Sequence, residues 1–237
     1  MDYDVVYFVK DSDVNEELTY SLRSVEKNFP FRKLYVYGGL PKNLYVKHHL
    51  NVEQRGWTKW DKVAKMIEIA CMNNHISEWF WLFNDDFYIM RPPTQDYYYS
   101  NGDINKLADN LEKKYGYETS YCRMLRYSAK MLKEKDYPTI SFATHTPMLI
   151  NRKHALDCMR EFEGVRGFRS LYGNYELKHG ELPFPVETGK DVKVRSAKDA
   201  VQSKYPFLSS SDLSFQENEK FRELILKTFP DKSRYER

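Results

Sequence analysis

Two neighbouring carboxylates, Asp85 and Asp86, follow the apolar run Trp79-Phe80-Trp81-Leu82-Phe83 after a single Asn84. Such a run without polar breaks reads as a strand buried on both faces, as in a parallel sheet. Open α/β sheets bind ligands in the crevice outside the carboxyl ends of their strands. Paired acids there suit a hard divalent cation, Mg²⁺ or Mn²⁺, which takes oxygen ligands and keeps positions for phosphate. That chemistry points toward an enzyme handling a nucleotide diphosphate. The same residues also fit a plain acidic turn, since Asn and Asp are turn formers.

Other chemistry-bearing residues stand at similar places. Asp11 and Asp13 follow one predicted strand and His145 follows another. If those strands are parallel, their tips converge with Asp85 and Asp86 at one crevice. An antiparallel arrangement would scatter them. A nucleotide-sugar needs its diphosphate neutralised, so Asp85 and Asp86 are the candidate metal ligands. An acceptor hydroxyl needs a base, for which His145 or an Asp serves. Charge developing on phosphate needs arginine forks, and Arg23, Arg152, Arg169 and Arg195 are candidates. Pro147, two residues after His145, holds the local chain extended. No Gly-rich phosphate loop, nucleophile elbow or zinc spacing is present.

The elements that must position these groups are legible in the pattern. Asp4 to Val9 reads as a first strand. A helix then starts near Asn15, with Glu16 and Glu17 in its first turn and Leu18, Leu22, Val25 and Phe29 at helical spacing before Pro30. Lys33 to Tyr37 is a second strand stopped by Gly38-Gly39, so the opening is β-α-β. Trp57, Trp60, Ala64, Ile67 and Cys71 mark a helix. Helices are also expected from Asp103, over Ser120 to Lys133, from Asn151 to Phe162 and over Phe215 to Phe229. Thr139 to Ala143 is expected as the strand that delivers His145. Gly164 to Val201 reads as irregular, with a short strand near Val192 to Val194. The expected fold is α/β, a mixed, mainly parallel sheet flanked by helices, in one domain over 1–237. Residues 1–150 would form its nucleotide-sugar-binding half and 151–237 its acceptor or closing half.

Composition narrows the class. The 237 residues are 41% apolar and 16% aromatic, with nineteen Tyr and fourteen Phe, enough for a substantial core. A net charge of +3, from 37 basic and 34 acidic residues, does not announce a nucleic-acid protein. Lys59 to Lys65, Lys130 to Lys135 and Lys190 to Lys204 could still line a local basic groove. The three cysteines lie far apart in helix-like patterns and read as buried thiols, in keeping with a reducing cytosol. Neither a signal peptide nor a membrane-length apolar stretch is visible, so a cytoplasmic protein is expected.

Several segments together resemble the Stealth family of sugar-1-phosphate transferases of capsular polysaccharide synthesis. DVVYFVKDSD is similar to that family's first region. ELTYSLRSVEKNFPFRKLYVYGGLPKNL and HISEWFWLFNDDFYIMRP are similar to the start and end of its second. THTPMLINR resembles the third, and FLSSSDLSFQENEKFRELILKTFPDKSRYE the fourth. The resemblance implies a GT-A-like glycosyltransferase core, a nucleotide-sugar donor such as a UDP-sugar, a divalent metal, and a site drawn from all four regions. Carried over by position, it nominates Asp13, Arg23, Asp85, Asp86, His145 and Asp212, with Arg169 in GFRS. The first region lacks the family's glycine, and Ser-Ser-Ser-Asp replaces an Asn-Asp-Asp type turn. A compact relative could therefore move the sugar itself, to a glycan or to a hydroxylated base in phage-type modified DNA. A non-catalytic glycan- or nucleotide-binding module is the reading from outside the enzymes.

Overall fold

Every side chain of Asp4–Val9 is buried, and this strand (β1) forms the centre of a five-stranded sheet. The computed structural model describes residues 3–54, 58–93, 98–180, 182, 185–188, 197–203, 205–210 and 212–237. Strand β1 pairs in parallel with β2 (Leu34–Gly38) on one side and β4 (Trp79–Asn84) on the other. β3 (His48–Leu50) extends the parallel set beyond β2, and β7 (Met148–Asn151) closes the far side antiparallel to β4. The order is β3-β2-β1-β4-β7. Continuous burial along β1 and β2, and from Phe80 to Phe83 in β4, is what a sheet covered on both faces requires.

Helix α1 (Glu16–Asn28) is the first crossover. Asn15 caps it through Leu18 N, and Leu18, Leu22 and Val25 are fully buried along one stripe. Burying each such side chain is worth about 1.5–3 kcal/mol. α2 (Lys59–Met72) carries a capping box from Thr58 and Asp61 and leads into β4. Trp57, placed by sequence on this helix, lies outside the described residues.

A second layer hangs from α1. β5 (Phe87–Ile89) leaves the acidic turn, pairs antiparallel with β9 (Phe207–Ser209), and takes side-chain hydrogen bonds from the helix. Ser21 Oγ donates to Phe87 O, Ile89 N donates to Ser24 Oγ (3.0 Å), and Asn28 Nδ2 donates to Ile89 O (2.6 Å). A small core of Tyr88, Leu208, Phe215, Phe221, Ile225 and Phe229 forms there. It includes α8 (Asp212–Glu217) and α9 (Glu219–Thr228). The single helix read over Phe215–Phe229 is thus two, because the Asn218 side chain accepts from Phe221 N and starts a new cap.

Between β5 and β7 lie β6 (Tyr98–Ser100), which pairs with β8 (Val186–Thr188), and the helices α3 (Ile104–Tyr115) and α4 (Ser120–Glu134). Past β7 come α5 (Arg152–Glu161), α6 (Phe168–His179) and the short α7 (Ala197–Gln202). Tyrosine hydroxyls cover the backbone of β7. Tyr98 OH donates to Leu149 O and Asn151 N donates to Tyr172 OH, both at 2.7 Å.

Two expectations are corrected here. Thr139–Ala143 is not a strand: it makes one bridge, Ile140 to Asp103, and the strand is Met148–Asn151, after His145. Gly164–Val201 is not irregular throughout, since it contains the twelve-residue α6. That helix buries Ser170, Asn174 and Glu176 along with Leu171 and Tyr172, so no polar face betrays it. Gly173 sits where a Cβ would lie 2.3 Å from the Phe142 ring. The strand read near Val192–Val194 lies outside the described residues. The three cysteines are buried free thiols on α2, α4 and α5, as their spacing predicts. Among the described residues no helix is long and apolar enough to cross a membrane.

Candidate functional site

Parallel pairing of β1 with β4 sends both strands out on the same edge. Asp11 and Asp13 follow β1, and Asp85 and Asp86 follow β4. These two turns touch. Asn15 Nδ2 donates to Asp85 Oδ2 at 2.6 Å. Asp11 and Asp13 are exposed, whereas Asp85 and Asp86 are half-buried.

His145 reaches this edge by a different route from the one its sequence suggests. It precedes its strand instead of following one, and that strand is antiparallel. The two reversals cancel. Met148 pairs with Leu82 near the end of β4, so the turn Thr144–Thr146 lies beyond the same carboxyl edge. Thr144 and Thr146 are buried and their hydroxyls are 2.9 Å apart, while His145 is half-buried.

Arg169, in the first turn of α6, ties this turn to the acids. Its Nη1 donates to Thr146 O at 2.6 Å and Thr144 O at 3.5 Å, and its guanidinium lies 5.5 Å from the Phe87 ring centre. Nη2 is buried and has no hydrogen-bond partner among the described residues. Burial pushes the guanidinium pKa down to about 10, with the negative charge of Asp86 working against it. A buried cation held beside an acid is costly unless it meets further negative charge.

The C-terminal segment completes the wall. Ser209 Oγ donates to Asp86 Oδ2 at 3.0 Å, and Ser210 N to Asp86 O at 3.1 Å. Ser210 Oγ donates to Glu17 Oε1 and lies 3.1 Å from Tyr88 OH. The backbone of Asp212 opens α8 two residues later, and its side chain lies outside the described residues.

Two of the nominated arginines are engaged elsewhere. Arg23 grips Glu236 through Nε and Nη2 (2.7 and 2.6 Å) and donates to Phe229 O at 2.8 Å. It lies two turns along α1 from the acids and fastens the C-terminal tail. Arg152 donates to Cys71 O and Ile76 O. Arg195 lies outside the described residues.

Sequence reasoning missed Asn15, Gln54, Glu17 and Ser209 as site neighbours. Gln54, almost fully buried, donates to Val9 O at 2.8 Å and Asp11 Oδ1 at 3.4 Å. Asn15 and Glu17 were legible only as helix-start signals, and Ser209 only as part of a serine run. Asn15 and Glu17 open the helix that the tip of β1 leads into, which is the signal that could have singled them out.

The donors that Asp85 and Asp86 offer are all oxygen, which fits a hard cation completed by phosphate and water better than a dedicated protein cage. Among the described residues no group of three His, Cys, Asp or Glu side chains is arranged to hold a metal.

No family model matches this chain, and no curated protein does. The Stealth resemblance therefore rests on the segments quoted above. Among solved structures, the chain is similar to galactosyltransferase LgtC in complex with donor and acceptor sugar analogs, at 12% identity and a TM-score of 0.46 over 98% of each chain. An active-site mutant of LgtC aligns at 11% identity and 0.45, again over 98% of each.

Proposed function

We propose that this chain is a nucleotide-sugar-dependent glycosyltransferase with a GT-A-like core, moving a sugar to an acceptor hydroxyl. The observation that supports it is the meeting, at one edge of a mainly parallel sheet, of acids from β1 and β4, the His145 turn and the buried cation Arg169. Asp85 and Asp86 are the residues that would hold Mg²⁺ or Mn²⁺, which when bound neutralises the donor diphosphate. Asp11 and Asp13, exposed beside them, face the donor. Arg169 offers its second amino group to phosphate charge, and a phosphate would satisfy what burial leaves costly. His145 takes the acceptor proton, with Asp212 as the other candidate base. Arg23 has no part in this reading because Glu236 occupies its fork. Residues 1–150 carry the metal-binding acids and His145, and 151–237 close the site and contribute Arg169.

A glycan acceptor is favoured over DNA. Lys65 pairs with Glu68 at 2.6 Å and Lys130 with Glu134 at 3.7 Å, so two of the basic segments are partly neutralised. Transfer of sugar 1-phosphate, the Stealth-type reaction, uses the same acids and the same arginine.

Mass spectrometry after incubation with a panel of nucleotide-sugars, Mn²⁺, and glycan or hydroxymethylated-DNA acceptors tests the reading. A gain of one sugar on a glycan is expected. A gain of sugar plus phosphate would replace it with phosphotransfer. Donor binding without any turnover would leave a binding module.

A further inference from the structure

We propose that Asn15 is a positioning residue for Asp85, an inference that rests on Asp85 being the acid that binds metal and diphosphate. Asn15 stands between the tip of β1 and α1. Its Oδ1 accepts from Leu18 N at 2.8 Å and caps the helix. That bond decides which way round the amide lies, so Nδ2 points away from the helix, and it donates to Asp85 Oδ2 at 2.6 Å. Capping alone does not call for this. Aspartate caps a helix as well as asparagine does, but would set a second carboxylate against Asp85. Asparagine spends its acceptor on the helix and keeps a donor for the acid.

The bond belongs to a series. Along α1, Ser21 donates to Phe87 O, Ser24 accepts from Ile89 N and Asn28 donates to Ile89 O. Together with Asn15 they place the segment 85–89 against one helix. Of these four bonds, the one from Asn15 ends on a side chain, and that side chain is the acid. Asp85 is thereby oriented by a helix packed through Leu18, Leu22 and Val25. A ligand acid held this way does not have to be ordered when the cation and diphosphate arrive.

The test uses Asn15→Asp, Asp85→Asn and their combination in the full chain, followed by urea unfolding without ligand. The combination exchanges the donor and acceptor ends of the pair. Asn15→Asp alone is expected to lower the unfolding midpoint, and Asp85→Asn to restore it. An equal drop in both backgrounds overturns the coupling. A second variant, Asn15→Ser, keeps the cap and removes the reaching amide. Mn²⁺ affinity in the presence of UDP, read by electron paramagnetic resonance, is expected to weaken about tenfold in it. Unchanged affinity would reduce Asn15 to a structural cap and overturn the proposal. If the wild-type chain binds no Mn²⁺ with UDP, the metal reading fails, and with it the positioning role, while the unfolding cycle still reports whether the pair is coupled.

Discussion

At the amino edge of the central sheet, Asp4 is completely buried and saturated. Its oxygens accept from Arg32 Nε and Nη2 (2.9 and 2.7 Å), Lys33 N (3.1 Å) and Ser77 N (2.8 Å). Burial pushes its carboxyl up, but these hydrogen bonds outweigh that and hold it below the usual carboxylate range. At the carboxyl edge, Asp85 and Asp86 are half-buried and Asp11 and Asp13 exposed. Among the donors there are the neutral side chains of Asn15, on Asp85, and Ser209, on Asp86. The nearby cation, Arg169, retains a buried amino group with no partner among the described residues. At one edge Asp4 joins neighbouring segments through charged and backbone donors. At the other, a buried cation is kept close to an acid, an arrangement more typical of sites than of structural ion pairs.

The comparison can be broken most directly at Asp85. In Asp85→Asn, turnover should fall by about 10²–10³-fold, in line with loss of one transition-state electrostatic group. Its unfolding midpoint in urea should stay close to wild type. A stable protein with full turnover would end the distinction between the edges. The converse experiment is Asp4→Ala, which strands the Ser77 and Lys33 amides and should cost about 2–4 kcal/mol in urea unfolding. Turnover per folded molecule should not change. The pH dependence has a definite sign. Because the folded-state pKa of Asp4 is depressed, its stabilisation is present above about pH 4. It is lost as pH falls through the folded value, so the Asp4→Ala penalty should shrink in acid.

A smaller effect is expected from Gly173→Ala. The added Cβ would press on the Phe142 ring, two residues before Thr144. Overpacking of this kind costs about 1–3 kcal/mol, and displacement of the His145 turn should lower turnover as well. Thermal unfolding together with an activity assay checks both. The smallest stability change belongs to Arg169→Met. Methionine removes a desolvated cation but strands the Thr146 carbonyl, so the two effects partly offset and stability should change by no more than about 1–2 kcal/mol. Turnover should still drop. A large loss of stability would show that Arg169 acts like the residues of the amino edge.

How much of this was legible depends on the range of the interactions. Asp4–Val9 matches its sequence reading residue for residue, because a central strand is written in consecutive apolar positions. α1, α3, α4 and α5 were legible for the same reason, each having a cap and an apolar stripe. β5, β6, β8 and β9 are three residues each and paired with distant partners, so no local period marks them. α6 was hidden by its buried polar residues and glycine, whose partners include groups far away in sequence, such as Ile140 N on Asn174 Oδ1. Asp11, Asp13, Asp85 and Asp86 stand at strand tips, as read from the sequence, because strand ends are predictable. Arg23 was misplaced because an arginine's partner is not: Glu236, 213 residues away, holds it.

By itself the sequence determined an α/β protein whose acids stand at the ends of buried strands, since burial and periodicity are local properties of the chain. Only the tertiary structure decided which charges meet. It turned the strand after His145 antiparallel and so delivered that residue to the edge where Asp85 and Asp86 stand. It spent Arg23 on the tail, set Arg169 beside Asp86, and brought Asn15 to Asp85. Those outcomes depend on hydrogen bonds between residues tens to hundreds of positions apart, and spacing along the chain does not encode them.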